Sequence, residues 1–257
     1  MSKVLCIANQ KGGVGKTTTA LTLAAALSRM ELRVLVIDLD PHACATIHLA
    51  FYPEQVEHGA FDLFTGAVAG RAVWGQAIQP DRGMGFDFVP SHVRLSDLEG
   101  DLKGKPGKGL ILRKGLIAVD QDYDHIILDC PPNIGVLMVN ALVASNLAVI
   151  PIQTDFLALH GLKLMFDTMR MLNRVMPRPI EYRALATMYD RRAGACRRVL
   201  NLLRRKMGTR LLDTVINIDT KFREASGVGK TILDIAPDSR GSVEYQRLAR
   251  EIRKISP

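Results

Sequence analysis

The strongest constraint on this chain is local: Asn9-Gln10-Lys11-Gly12-Gly13-Val14-Gly15-Lys16-Thr17-Thr18-Thr19 stands between a short apolar run and a segment apolar at helical spacing. Residues 4–8 read as a buried strand and residues 17–29 as a helix. A glycine-rich turn from strand into helix presents successive backbone N–H groups and a helix N-terminus to an anion. Gly12, Gly13 and Gly15 allow close approach because no Cβ intervenes. Residues 12–18, with Val14 and Thr18 among them, fit a nucleoside triphosphate, placing Lys16 at the β- and γ-phosphates and the Thr17 hydroxyl on Mg²⁺.

The strict pattern G-x-x-x-x-G-K-[ST] fails at its first glycine, which is Gln10 here. What stands instead is K-G-G-V-G-K-T, with a second lysine five residues before the first-named one. This motif resembles the deviant Walker A loop of the ParA/MinD family of dimerising ATPases. The resemblance implies ATP as the nucleotide and a catalytic role for Lys11, reaching across a dimer interface to the partner's phosphates. The words G-V-G-K-T recur at Gly227-Val228-Gly229-Lys230-Thr231, but no apolar strand precedes them and Ala225 stands where the early lysine would be. That copy reads as a decoy.

Two acidic motifs follow the same logic. The run Val34-Leu35-Val36-Ile37-Asp38-Leu39-Asp40-Pro41 ends a second strand with two carboxylates at the sheet edge where open α/β folds bind ligands. Alternation places Asp38 and Asp40 on one side of an extended chain. A third run, His125-Ile126-Ile127-Leu128-Asp129-Cys130-Pro131-Pro132, ends apolar residues in an aspartate, so Asp129 is placed to hold a Mg²⁺-bound water. Asn133-Ile134-Gly135 then forms a loop able to sense a γ-phosphate. The family resemblance gives Asp38 a supporting place in the Mg²⁺ shell and Asp40 the positioning of the attacking water.

Strands alternate with helices nearly throughout, which predicts a mostly parallel twisted sheet with helices on both faces, in one domain spanning residues 1–257. Strands are expected at 4–8, 34–38, 86–89, 126–129, 148–151, 184–188 and 211–216. Helices are expected at 17–29, 46–49, 137–144, 160–175, 193–207 and 243–255. Residues 100–109, with Lys103, Lys105, Pro106 and Lys108, break any period and predict a mobile surface loop. No apolar run approaches the roughly 20 residues of a membrane helix, and the first strand starts too early for a signal peptide, so a cytoplasmic protein is expected.

Cys6, Cys44, Cys130 and Cys196 are widely scattered without a C-x-x-C pair. That argues against structural zinc, a disulfide framework and a shared iron–sulfur cluster, and so against a metal-cluster carrier of the same fold. The net charge of +8 is concentrated: residues 189–257 hold 16 Lys+Arg against 8 Asp+Glu, while the preceding residues are balanced at 18 each.

The resemblance extends to Pro151-Ile152-Gln153-Thr154-Asp155-Phe156-Leu157-Ala158-Leu159-His160-Gly161, Thr187-Met188-Tyr189-Asp190 and Glu224-Ala225-Ser226-Gly227, which match ParA partition ATPases of the Soj type in order and spacing. It implies that Tyr189 and Asn217 lie near the adenine. On the helix at 193–207, Val199, Leu202, Leu203 and Met207 form an apolar face, leaving Arg197, Arg198, Arg204, Arg205 and Lys206 toward solvent. Such a patch suits sequence-independent contact with double-stranded DNA, and an ordinary solvated face gives the same pattern. Where the family reads P-R-N-V-R, this chain has Asn217-Ile218-Asp219-Thr220-Lys221, so Lys221 and Arg223 are expected to share the DNA contacts.

The basic C-terminal helix carries a narrow stripe, Tyr245, Leu248, Ile252 and Ile255, suited to packing on the sheet rather than to a membrane. Together these features imply a nucleoid-associated ATPase that forms an ATP-dependent homodimer and binds DNA without sequence preference. A ParB-like protein or cargo adaptor is expected to stimulate hydrolysis. A MinD-like ATPase at the membrane surface is the rival reading.

Overall fold

Val4 and Cys6 face one layer of apolar side chains, and Leu5 and Ile7 between them face the other. A strand buried on both faces needs an unbroken apolar run, which is why this segment does not alternate with polar residues. The computed structural model describes residues 2–65, 68–156 and 158–255. Leu157 and the side chains of 158–161, part of the segment matching the partition family, lie outside the described residues.

The elements in order are β1 (Lys3–Ile7), α1 (Lys16–Ser28), β2 (Val34–Asp38), α2 (Cys44–His48), α3 (Arg71–Ala77), β3 (Asp87–Val89), α4 (Leu98–Asp101), α5 (Ile111–Gly115), β4 (His125–Asp129), α6 (Val136–Ala144), β5 (Leu147–Gln153), α7 (Ala158–Asn173), β6 (Tyr182–Tyr189), α8 (Gly194–Met207), β7 (Leu211–Asn217), α9 (Lys221–Gly227), α10 (Ile232–Ile235) and α11 (Arg240–Lys254). The seven strands form one parallel sheet in the order β3-β2-β4-β1-β5-β6-β7. Because β1 lies between β4 and β5, the chain turns outward in both directions from it. The carboxyl ends of β1, β2 and β4 therefore open onto one crevice.

Helix α1 reads Lys16-Thr-Thr-Thr-Ala-Leu-Thr-Leu-Ala-Ala-Ala-Leu-Ser28 and is buried nearly all round, between the sheet and α11. Truncating Leu21, Leu23 or Leu27 to alanine would cost about 2–5 kcal/mol each, by the usual penalty for a core cavity. The stripe of α11 is part of this layer: Tyr245, Leu248 and Ile252 are buried, and the Tyr245 hydroxyl lies 2.9 Å from Thr19 Oγ1. Its apolar face is thus used in packing. Glu251 Oε1 and Oε2 accept the Asp213 and Thr214 N–H groups of β7 at 2.6 and 3.0 Å.

All seven expected strands form, with β5 and β6 extending beyond their expected ends. Helices α3, α4, α5, α9 and α10 are additions, each of seven residues or fewer. Segments this short hold too few turns to impose a periodic signal, so tertiary packing decides them. α3 is anchored by Trp74, fully buried, whose Nε1 donates to the Gly115 carbonyl at 2.9 Å. The 100–109 loop is trimmed at both ends, by α4 and by a 3₁₀ turn at Lys108–Leu110, and is anchored by buried Leu102. Among the described residues, no helix is long and apolar enough to cross a membrane.

Candidate functional site: a phosphate loop above three aspartates

The loop from β1 to α1 takes its shape from Gly13 and Gly15, whose φ angles of 71° and 89° lie in the left-handed region that disfavours a side chain. It is pinned from two neighbouring strands. Asn9 Nδ2 donates to the Pro151 carbonyl at 2.7 Å, Asn9 Oδ1 accepts the Lys11 N–H at 3.0 Å, and Thr187 Oγ1 donates to the Val14 carbonyl at 2.9 Å. Helix α1 begins after Gly15 with no side-chain cap, so its first N–H groups remain available to an anion. Space lies open beside Gly12, Gly13 and Gly15, with no atom within 4 Å of where a Cβ would stand.

Both lysines sit on this loop. Lys16 Nζ donates to the Lys11 carbonyl at 3.4 Å, and Lys11 Nζ donates to Gln153 Oε1 at 3.2 Å. The early lysine therefore rests against its own β5.

Beneath the loop, Asp38 and Asp129 are register partners on adjacent strands, and both are fully buried. Thr17 Oγ1 donates to Asp129 Oδ2 at 2.7 Å, while Asp129 Oδ1 is buried without a partner among the described residues. Asp38 is saturated instead. Its Oδ1 accepts the Asp40 N–H at 3.0 Å, and its Oδ2 accepts the Thr46 N–H at 2.9 Å and the Thr46 hydroxyl at 2.7 Å. Burial pushes the Asp38 carboxyl up to about 6. It pushes Asp129 well above the usual carboxylate range, with the Asp38 charge adding to the effect. Asp40, 6% exposed, accepts both the His42 N–H and His42 Nδ1 at 2.9 Å on Oδ1.

These residues fit a divalent ion shared with phosphate. They offer a hydroxyl, a buried carboxylate oxygen without a hydrogen-bond partner among the described residues, and a second carboxylate that fixes the loop after β2. Among the described residues no cluster of three or more His, Cys, Asp or Glu is arranged to hold a metal by itself. Further ligands would have to come from phosphate and water.

From Val14, Gly15 and Thr18 a cavity of about 490 Å³ runs between β6, β7 and α11, ending against Asn217, Phe222 and Tyr245. Asn217 lines it. Tyr189 does not: it packs on the hydrophobic layer of the opposite sheet face, and Met188 lines the cavity in its place. The cause is a register shift between Ala186 and Tyr189, with Met188 held at φ 51°. Such an irregularity exchanges which neighbour faces which side. Arg223 also lines this cavity.

Arg197, Arg198, Arg204, Arg205 and Lys206 are exposed on α8, and Lys221 is exposed at the start of α9. The buried face of α8 consists of Val199, Leu200 and Leu203; Leu202 and Met207, expected in it, are only half-buried. Arg198, Arg204 and Arg205 line a groove of about 830 Å³ together with Phe156. Lys221 Nζ pairs with Glu224 at 2.6 Å. The second G-V-G-K-T starts at the end of α9, and its Thr231 forms a capping box with Asp234 on α10. That contact marks it as a helix start of another kind.

Sequence reasoning gave no role to Asn9 or Gln153, although both stand in the quoted motifs, and it missed Thr46, which no local pattern marks. It also treated the cysteines as scattered, yet Cys6 and Cys130 meet in the core, with sulfurs 3.3 Å apart on β1 and after β4. Sequence separation concealed a contact made by strand pairing.

A family model for an AAA domain matches residues 2–181. The chain is 35% identical over 253 residues to the sporulation initiation inhibitor protein Soj of Bacillus subtilis, covering 98% of both chains. It is also 35% identical over 253 residues to the chromosome partitioning protein ParA of Caulobacter vibrioides, covering 97% of this chain and 93% of that one. In structure it resembles a cobyrinic acid a,c-diamide synthase of Mycobacterium smegmatis with bound ADP and magnesium. The TM-score is 0.84 at 29% identity, covering 99% of this chain and 95% of the other. A deviant Walker A loop over three aspartates, together with relatives matched across nearly their full length, places the chain in the family of ParA/Soj-type partition ATPases.

Proposed function

We propose that this protein binds ATP with Mg²⁺, dimerises on it, attaches without sequence preference to nucleoid DNA, and releases when a partner stimulates hydrolysis. The observation carrying this reading is the gathering of Lys11, Lys16, Thr17, Asp38, Asp40 and Asp129 in one crevice beneath an uncapped helix N-terminus. Lys16 and the loop N–H groups bind the phosphates, and Asp40 orients the attacking water. Thr17 and Asp129 hold the metal side of the site, and Asp38 fixes the loop that carries Asp40. When bound, Mg²⁺ supplies charge neutralisation across the β- and γ-phosphates. Lys11 lies on the loop surface, and its contact with Gln153 is a single hydrogen bond that can be exchanged for a phosphate on a second copy.

The DNA-binding part of the reading rests on the exposed arginines of α8 with Lys221 and Arg223. Two copies aligned on one duplex double the phosphate contacts and steepen the salt dependence, which makes attachment depend on ATP. The membrane-surface alternative is less well supported, because α11 has its apolar stripe committed to the core. A ParB-like protein or cargo adaptor is the proposed activator. The test is light scattering and duplex binding with ATP, ADP or no nucleotide, at several salt concentrations, beside binding to anionic liposomes. ATP-dependent dimers that hold DNA support the proposal; ATP-dependent liposome binding without DNA binding overturns it.

A further inference from the structure

The far wall of the cavity is set by an unusual clamp. Glu244 on α11 is 7% exposed, and its carboxylate receives two bonds from one residue: the Asn217 N–H reaches Oε2 at 2.8 Å and Asn217 Nδ2 reaches Oε1 at 2.6 Å. A carboxylate only accepts hydrogen bonds, so the nitrogen of the Asn217 amide must face it. The carbonyl oxygen Oδ1 is then the end of the amide left to the cavity. The side chain next to Glu244, Tyr245, is fixed to Thr19 of α1, so α11 cannot shift to relax the clamp without breaking a second buried contact.

We infer that Glu244 is the positioning residue that sets purine selectivity, by holding the Asn217 amide with its acceptor toward the base. This rests on the nucleotide reading of the cavity. An acceptor on this wall pairs with an exocyclic amine, as adenine carries at C6. It opposes the exocyclic carbonyl that hypoxanthine and guanine carry at the same place. The selectivity is an orientation of one amide, and one carboxylate maintains it. Reversing the amide would reverse the preference, because the same position would then offer a donor.

The test is a binding titration of the full chain with Mg²⁺ and ATP or inosine triphosphate, which share ribose and phosphates and differ at C6. Wild type should favour ATP at least tenfold. In Glu244→Gln the new Nε2 donates to Asn217 Oδ1 and turns Nδ2 to the cavity, so the ratio should move at least tenfold toward inosine triphosphate. Asn217→Ala should abolish discrimination, and adding Glu244→Gln to it should change the ratio no further, since Glu244 acts through the amide. A thermal melt of each variant shows that the comparison is made on folded protein. A Glu244→Gln protein that melts like wild type and discriminates like wild type overturns the inference. So does wild type that binds both nucleotides equally, which leaves the nucleotide site itself intact. Failure of wild type to bind either nucleotide sinks the underlying reading instead.

Discussion

The hydroxyl of Thr17 donates to Asp129 across 2.7 Å, joining the phosphate loop to the end of β4. A hydroxyl that gives its hydrogen to a carboxylate has its lone pairs turned away from it, which is the orientation a cation requires. Thr17→Ala should therefore reduce the Mg²⁺-dependent part of nucleotide affinity by about tenfold or more, the scale of one charge-assisted bond. Affinity in a metal chelator should stay close to wild type, and Thr17→Ser should restore the Mg²⁺ effect. Titrations with and without Mg²⁺ decide it; an equal loss in both would mean that the residue shapes the loop and nothing more.

Lys11 and Lys16 stand on one loop yet should behave differently. Lys16→Ala removes the cation facing the phosphates and should abolish ATP binding, a loss on the order of a hundredfold or more. Lys11→Ala should leave binding close to wild type and remove ATP-driven dimerisation or stimulated turnover. Light scattering with ATP separates the two, and an unchanged dimer with full stimulated turnover in Lys11→Ala would end its role in trans.

For Asp40, both His42 contacts fall on Oδ1, and among the described residues the carboxylate accepts no other hydrogen bond. Asp40→Ala should keep ATP and its dimer while cutting stimulated hydrolysis by about 10²-fold or more, the range for losing a positioned proton acceptor. The trapped protein should remain on DNA. Partner-stimulated turnover at the wild-type rate would show that another group orients the water.

The basic surface is tested by charge reversal at Arg204, Arg205 and Lys221. The variant should bind ATP as wild type does, while its DNA affinity falls. The slope of log affinity against log salt should shrink by about 0.9 for each lost phosphate contact. Unaltered DNA binding would identify these residues as an ordinary solvated face.

His125 predicts a pH effect remote from the site. Neither ring nitrogen has a partner among the described residues, and burial, reinforced by the nearby Lys3 charge, lowers its pKa to about 4. In the unfolded chain the imidazole takes a proton near pH 6.5, so in the window between the two values only the unfolded state is charged. The stability tied to neutral His125 is complete above about pH 6.5 and is lost as the pH falls toward 4. Urea denaturation across that range should show a steeper loss in wild type than in His125→Gln; parallel curves would refute it.

What could be read in advance follows from the range of each signal. The strand, loop and helix of residues 3–28 are contiguous, and Asp38, Asp40 and Asp129 each end an apolar run, so their positions at the sheet edge follow from the chain itself. That Met188 and not Tyr189 lines the cavity is not legible in the chain, because an irregularity at Met188 is a property of strand pairing and leaves no mark in composition. Thr46 reaches Asp38 over eight residues and Glu244 reaches Asn217 over twenty-seven. Contacts of that span are fixed only when the helices have docked, and they include the residues that tune the site.

The sheet ends at β7, and there α11 answers backbone amides with carboxylates, Glu251 at Asp213 and Thr214 and Glu244 at Asn217. An edge so treated offers a stray strand few donors and a barrier of negative charge. The proposed gathering of many copies on DNA carries a standing risk of irreversible β-aggregation. Here that risk is met by two glutamates, at the one long edge where the sheet could otherwise grow.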